Sequence, residues 1–172
     1  MPDKATLKRA AADKRQDKSP STQAGEFVRE EMDHIREGKH GARSAKQAIA
    51  IGLSKARRAG VELPPPKKGT TSESTRRRAA RDVEVGHEPA HKVSAKRSRA
   101  TKQALEHEPA AAASHLALSR HAHAVARTRT AAERSASAKK AAATRARNRT
   151  ARSTAGATGS RGGKSGSTQH RA

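Results

Sequence analysis

The clearest pattern in the chain is a stripe of apolar side chains at helical spacing within residues 22–38. Val28, Met32 and Ile35 occupy positions i, i+4 and i+7 of this stripe. Phe27 widens the stripe on one side. We therefore expect one amphipathic helix here, begun by the serine and threonine that precede it and ended by the glycines that follow it.

A second stripe begins after Ser44 and predicts a second helix. Ser44 and Gln47 stand at the spacing of a capping box, in which each of the two side chains accepts a hydrogen bond from a backbone N–H at the start of the helix. Gly60 suits the left-handed residue that commonly follows a helix end, and the three prolines at 64–66 prevent further helix. The small and apolar positions between these signals are Ala45, Ala48, Ile49, Gly52, Leu53 and Ala56.

The two stripes, joined by a loop of roughly six residues, predict a small antiparallel helical hairpin over residues 21–62. The charged residues of the first helix are mostly acidic and those of the second are all basic, so the two helices are electrostatically complementary. Surface ion pairs contribute only about 0–1 kcal/mol each, however, and two short helices bury little apolar area. We expect a hairpin of marginal stability that is able to self-associate.

Outside the hairpin the chain is polar and of low complexity. Residues 1–20 are predicted to be a polar flexible arm in which Ala5–Lys14 can form a nascent helix, and residues 63–86 a Pro/Lys/Arg linker with a short basic helix. Residues 87–172 form an Ala/Arg/Lys-rich tail in which His-Glu-Pro-Ala occurs twice, too few copies for a solenoid. The predicted fold class is all-α: a small antiparallel helical hairpin with long basic regions that are largely disordered or marginally helical.

The net charge narrows the range of partners. The chain carries +22 at pH 7, with 38 Lys and Arg against 16 Asp and Glu. Only 18 of its 172 residues are Val, Ile, Leu, Met or Phe, and such a composition predicts disorder over most of the length. So large a positive charge is best neutralised by a polyanion, and nucleic acid is the usual one because bound phosphates release their counterions.

Membrane association is not expected from the sequence. The N-terminal residues have no apolar run of the kind that a signal peptide needs, and no stretch reaches the length of a transmembrane helix. An anionic membrane surface would need apolar anchors among the charges, and the apolar residues here are mostly alanine. We expect a cytoplasmic protein located at the nucleoid.

The sequence gives little support for metal binding or catalysis. The chain has no cysteine. His87 and His91 have i, i+4 spacing but a proline lies between them, and His121 and His123 point to different faces of a helix. No glycine-rich phosphate loop follows a strand, and no buried pocket is predicted for the acids. We therefore expect no metal, no cofactor and no enzymatic activity.

The basic runs are the candidate ligands for phosphate groups. They are spread along the chain, which favours many weak contacts over one binding pocket. The single aromatic residue, Phe27, lies on the apolar stripe, so base stacking is not expected, and no zinc-finger, bZIP or homeodomain pattern is present. The predicted contacts are Lys46, Lys55, Arg57, Arg58, Lys67, Lys68, Arg76, Arg77, Arg78, Arg81, Lys96, Arg97, Arg99, Lys102, Arg127, Arg129, Lys139, Lys140, Arg145, Arg147, Arg149 and Arg152.

Part of the sequence resembles a known family. Four segments carry the likeness: Thr-Gln-Ala-Gly-Glu-Phe-Val-Arg-Glu-Glu-Met at 22–32, Lys-His-Gly-Ala-Arg-Ser-Ala-Lys-Gln-Ala-Ile-Ala-Ile-Gly-Leu-Ser-Lys-Ala-Arg-Arg-Ala-Gly at 39–60, Pro-Pro-Pro-Lys-Lys-Gly at 64–69 and Thr-Ser-Glu-Ser-Thr-Arg-Arg-Arg at 71–78. Over residues 22–78 the chain resembles small, uncharacterised, basic bacterial proteins that carry a domain of unknown function. That resemblance implies no activity. The remainder is similar in composition to histone H1-like bacterial nucleoid proteins.

The sequence as a whole predicts a non-enzymatic protein that binds or compacts nucleic acid, most readily double-stranded DNA, through phosphate contacts. Two other functions fit the same pattern. One is an RNA- or ribosome-associated basic protein, which charge alone does not distinguish from a DNA-binding one. The other is a protein-interaction or stress-response module in which the hairpin at 21–62 binds a protein partner.

Overall fold

The protein is described by a computed structural model that covers residues 2–88 and 94–159, without the side chains of 151–159. The described residues form α-helices, one short 3-10 turn and one isolated bridge between Lys68 and Thr71, which confirms the all-α class. None of the helices described is long and apolar enough to cross a membrane. The helices are α1 (Lys4–Arg15), α2 (Pro20–Arg36), α3 (Ala45–Arg58), α4 (Glu73–His87), α5 (Ala95–Glu106), α6 (His115–Thr128) and α7 (Ala131–Gly159), and the 3-10 turn spans Ala110–Ala113.

The two predicted stripes form α2 and α3, which pack against each other more extensively than any other pair of helices. α2 begins at Pro20, slightly before the predicted start, because proline has the backbone angle of a first helical residue and needs no donor there. α3 begins where the sequence predicts, with the Ser44 hydroxyl accepting a hydrogen bond from the Gln47 backbone N–H at 3.3 Å.

The core consists of two clusters. Phe27 and Ala24 of α2 pack with Ala10, Ala56 and Val61 in the first cluster. The second contains Met32, Ile35, Ala42, Ala48, Ala112 and Ala113. Phe27 and Ile35 are the largest apolar side chains that are fully buried among the described residues. Most of the other core positions are alanine, which fills little volume but allows neighbouring backbones to approach closely.

The residues before the hairpin form a packed helix, where the sequence predicted a flexible arm. α1 lies against α2 and buries Thr6 and Ala10. Arg9 of α1 makes an ion pair with Glu26 of α2. The sequence shows no stripe in this segment because α1 is held by two small side chains and an ion pair, and neither adds to a hydrophobic period.

Two further segments pack on the hairpin from outside residues 21–62. α4 lies against α3 and buries Ala79 and Asp82, and the 3-10 turn buries Ala112 and Ala113 against α2 and α3. The loop after α2 is tied to the same region, because the Gly41 N–H donates to the Leu105 carbonyl at 2.8 Å. A Cβ on Gly41 would lie 1.8 Å from the Glu108 carbonyl oxygen, so only glycine fits this approach.

The chain divides into two compact units, residues 1–123 and residues 124–172. The first contains α1 to α5, the 3-10 turn and most of α6. The second contains the end of α6 and α7. The side chains of α7 from 131 to 150 are exposed, so this helix contributes to neither core cluster.

The contact between α2 and α3 depends on the absence of a side chain at Gly52. A Cβ there would lie 2.7 Å from the Val28 Cα, which is backbone and cannot move aside cheaply. We expect Gly52→Ala to lower the free energy of unfolding by about 1–3 kcal/mol, because the helices must separate to admit the methyl group. Urea denaturation followed by circular dichroism measures the change.

The matched control is Gly25→Ala in α2, where an added Cβ meets nothing within 4 Å. This change removes the entropy cost of an interior helical glycine, so we expect it to raise stability by about 0.5–1 kcal/mol. Equal effects of the two substitutions would contradict the close approach at Gly52.

Candidate nucleic-acid interface

The largest group of exposed cations lies on α7. Six Lys and Arg side chains between 131 and 150 are exposed, and none of them has an ion-pair partner in the described part of the chain: Arg134, Lys139, Lys140, Arg145, Arg147 and Arg149. At about 100° per residue, Arg134, Arg145 and Arg149 fall within a sector of about 60°. Lys140 and Arg147 fall on the opposite side of the helix. α7 therefore presents positive charge on more than one face.

α5 is a second exposed basic helix. Lys96, Arg97 and Arg99 of α5 are exposed and make no ion pair within the residues described, and no α5 side chain is buried. Lys102 lies 3.6 Å from Glu106, a pair on the helix surface that water screens. α5 thus carries excess positive charge without contributing to the core.

The linker and α4 hold paired and unpaired cations side by side. Lys67, Lys68, Arg78 and Arg81 are exposed, and no described acid pairs with them. Arg76 and Arg77 lie 2.8 and 3.5 Å from the Glu73 carboxylate in the first turn of α4. The hydrogen bond from Arg76 lowers the pKa of Glu73, and the same bond raises the pKa of Arg76.

The second helix of the hairpin, α3, has fewer cationic side chains available to bind phosphate than its sequence suggests. Lys46 is exposed, but Lys55 Nζ lies 2.6 Å from Glu31 Oε2. Arg57 is buried and donates to the backbone carbonyls of the residues at 63 and 64, and burial lowers its pKa. Arg58 Nε donates to Asp82 Oδ1 at 2.7 Å. Three of the four predicted contacts on α3 are therefore engaged within the fold.

The remaining predicted contacts lie towards the C-terminus. Arg127 and Arg129 are exposed and have no ion pair among the described residues. The side chain of Arg152 lies outside the described residues, as does most of the predicted glycine-rich segment at 156–166.

Two arginines that the sequence did not single out border a surface cavity of the first unit. The cavity has a volume of about 350 Å³ and lies where α3 begins, lined by Arg43, Ser44, Arg120 and His121 among others. None of its lining residues is acidic. Arg43 is largely exposed, with its Nε 3.5 Å from Glu108. Nothing in the sequence marks these two arginines as neighbours, because 77 residues separate them.

The acids, by contrast, are concentrated in the packed helices. Glu26, Glu30, Glu31 and Asp33 of α2 and Asp82 of α4 all lie in ion pairs with Lys or Arg side chains. Glu30, Glu31 and Asp82 are also buried. The packed helices therefore neutralise much of their own charge, and the excess positive charge lies on the exposed helices and linkers.

One segment of the chain matches a model of a known protein family. Residues 19–68 match the model of a "Family of unknown function (DUF6496)". This match confirms the resemblance to a domain of unknown function in that part of the chain and names no activity. It spans α2, α3 and the prolines that follow. No curated protein and no solved structure matches the chain.

Proposed function

We propose that this protein is a non-enzymatic nucleic-acid-binding protein that contacts the phosphates of double-stranded DNA at many points. The supporting observation is the separation of charge: most of the exposed cations of α5, α7 and the 63–86 linker have no acidic partner among the described residues, whereas the acids of α2 all lie in ion pairs. Phosphate is the ligand that suits such a distribution, because each contact releases condensed counterions from the duplex.

The arrangement on α7 favours compaction over simple coating of one duplex. Cations on opposite sides of one helix can contact phosphates of two duplexes at the same time. A helix of 29 residues is about 43 Å long, enough to cross several phosphate spacings along each duplex. We propose that α7 bridges neighbouring DNA segments in this way.

Recognition of single strands by base stacking has no Phe, Tyr or Trp to support it. Dedicated stacking platforms are usually built from such rings, and the one residue of these types, Phe27, is buried in the core. The proposed contacts are therefore with the phosphate backbone, and they carry no direct sequence information.

The test compares two full-length triple variants that lose the same amount of charge. In the first, Arg145, Arg147 and Arg149 of α7 are changed to Gln. In the second, Arg9, Arg29 and Lys39, which pair with acids, are changed to Gln. Duplex DNA affinity is measured as a function of salt by fluorescence anisotropy. For a complex with about eight contacts we expect a log–log slope of roughly −7, reduced in magnitude by about 3 in the α7 variant and by less than 1 in the control.

Three outcomes would count against the proposal. Affinity that barely changes with salt would exclude phosphate contacts, and an equal loss in both variants would show that net charge matters and its position does not. Competition by structured RNA at lower concentration than duplex DNA would favour the RNA- or ribosome-associated alternative. Bridging is followed separately by light scattering of long DNA, which we expect to rise with the native protein and to rise less with the α7 variant.

A further inference from the structure

Three potential metal ligands from α2 and the loop after it converge inside the first unit. One ligand atom from each of Glu31, His34 and His40 lies within 4.8 Å of those of the other two. Glu31 and His34 are three residues apart and so share a face of α2. His40 comes from the loop that follows Gly38, and its ring is nearly perpendicular to that of His34, with 6.3 Å between the ring centroids.

The geometry between His40 and Glu31 requires a positive species. His40 Nδ1 lies 3.1 Å from the Gly41 carbonyl oxygen, which can only accept, so Nδ1 carries a proton. In the neutral ring Nε2 then bears a lone pair, and it faces Glu31 Oε1 at 3.3 Å. Two acceptors at this distance repel unless a proton or a metal ion lies between them.

The Glu31 carboxylate is poorly satisfied by its protein neighbours. It is fully buried, and neither of its oxygens accepts a hydrogen bond of normal geometry from the described residues. Lys55 Nζ approaches Oε2 at 2.6 Å as an ion pair, and the same ammonium lies 3.9 Å from the buried Glu30 carboxylate. One lysine thus faces two buried carboxylates, so the cluster lacks positive charge in a chain that has an excess of it elsewhere.

We propose that Glu31, His34 and His40 bind a divalent transition-metal ion of the Zn²⁺ type. Two histidine nitrogens and one carboxylate oxygen are a ligand set that zinc uses. Zinc ligands lie about 2.0–2.2 Å from the metal, so two of them at a tetrahedral angle are about 3.3–3.5 Å apart. The separation of His40 Nε2 and Glu31 Oε1 already has that value.

Both histidines have hydrogen-bond partners of the kind that orient metal-binding histidines in known metal sites. A ligating histidine usually donates its second N–H to a backbone carbonyl or a carboxylate, which fixes the tautomer. His40 has such a partner in the Gly41 carbonyl, and His34 Nε2 lies 3.4 Å from Asp3 Oδ2. Lys55 occupies the other oxygen of Glu31, which leaves Oε1 for the metal.

A metal here would fasten the loop after α2 to the helix. That loop is already tied to the segment before the 3-10 turn through Gly41 and Ala42, whose N–H groups donate to the Leu105 and Pro109 carbonyls. The metal would therefore stabilise the attachment of residues 105–113 to the hairpin, a structural role that is independent of nucleic-acid binding.

The experiment is a Zn²⁺ titration of the full-length, chelator-treated protein by calorimetry, with the thermal midpoint followed in parallel. We expect one Zn²⁺ per chain and a rise in the midpoint of about 10 °C at a hundredfold excess over Kd. His40→Ala and His34→Gln should each abolish the rise. His123→Ala, which removes an exposed histidine outside the cluster, should leave it unchanged.

Nitrogen-15 NMR of the histidine side chains in the native protein gives a result that does not depend on a variant's folding. We expect the His40 Nε2 resonance to shift when one equivalent of Zn²⁺ is added to the metal-free protein. A His40 Nε2 resonance that does not respond to Zn²⁺ would overturn the proposal. Zinc binding that survives unchanged in both cluster variants would overturn it as well.

Discussion

Lys55→Ala is expected to destabilise the first unit by about 3 kcal/mol in metal-free solution. Lys55 faces the carboxylates of Glu30 and Glu31, whose exposed fractions are 4% and 0%. Removing one member of a buried ion pair costs about 3–5 kcal/mol because the other charge stays buried without compensation. The lower end of that range applies since the Lys55 side chain is 26% exposed and water can partly replace it.

Urea denaturation with a chelator present measures this cost, and Lys46→Ala is the matched control. Lys46 lies on the same helix, is exposed and pairs with no described acid, so its removal should change stability by less than about 0.5 kcal/mol. Adding Glu31→Gln to Lys55→Ala should recover part of the loss, since the uncompensated charge is then absent. Similar stabilities for the two lysine variants would show that water solvates these carboxylates in the native protein.

Phe27→Ala is expected to lower the free energy of unfolding by about 3–5 kcal/mol. Phe27 is 1% exposed, and it joins α2 to Ala10 of α1, Ala56 of α3 and the segment at Val61. Most of its buried neighbours are alanine, whose short side chains cannot fill the cavity that its removal leaves. Since domains of this size have a total stability of about 5–15 kcal/mol, this one change should bring the first unit close to unfolding.

Thermal and urea melts followed by circular dichroism test this prediction. Leu116→Ala is the control, because Leu116 is 59% exposed and its loss should cost less than about 0.5 kcal/mol. Phe27→Leu keeps most of the volume and should cost less than about 1.5 kcal/mol. If Phe27→Ala were no more harmful than Leu116→Ala, the cluster around Phe27 would not be a core.

The part of the fold that the sequence could predict is the part held by large apolar side chains. Val28, Met32 and Ile35 repeat at helical spacing. This spacing predicted α2, because the residues on the buried face of a helix recur with the helical period. The packing of α1 and of the 3-10 turn escaped prediction because alanine and threonine supply their buried contacts. Alanine is common both on exposed helices and in tight cores, so its position in the sequence does not tell the two apart.

The same limit applies to the candidate sites. The sequence located most of the exposed cations of α5 and α7, because helices with almost no large apolar residues have no face to bury. It could not identify Lys55 and Arg58 as internally engaged, since their partners at 31 and 82 are distant in sequence. It could not identify Arg57 either, because its acceptors are backbone carbonyls, which no side-chain pattern marks. Glu31 and His34 are three residues apart and share a helix face, but that spacing alone marks no site, and only the fold brings His40 to them.

The sequence by itself determined the helical class, the pairing of α2 with α3 and the excess of positive charge. Each of these three properties follows from local periodicity or from a sum over residues, and none of them required knowing which distant segments meet. The tertiary structure alone decided which charges are neutralised inside the fold, which alanines are core, and where Glu31, His34 and His40 converge. Those properties depend on contacts between segments that are distant in sequence, because such contacts determine what each side chain faces. The close backbone approaches at Gly41 and Gly52 are two such contacts.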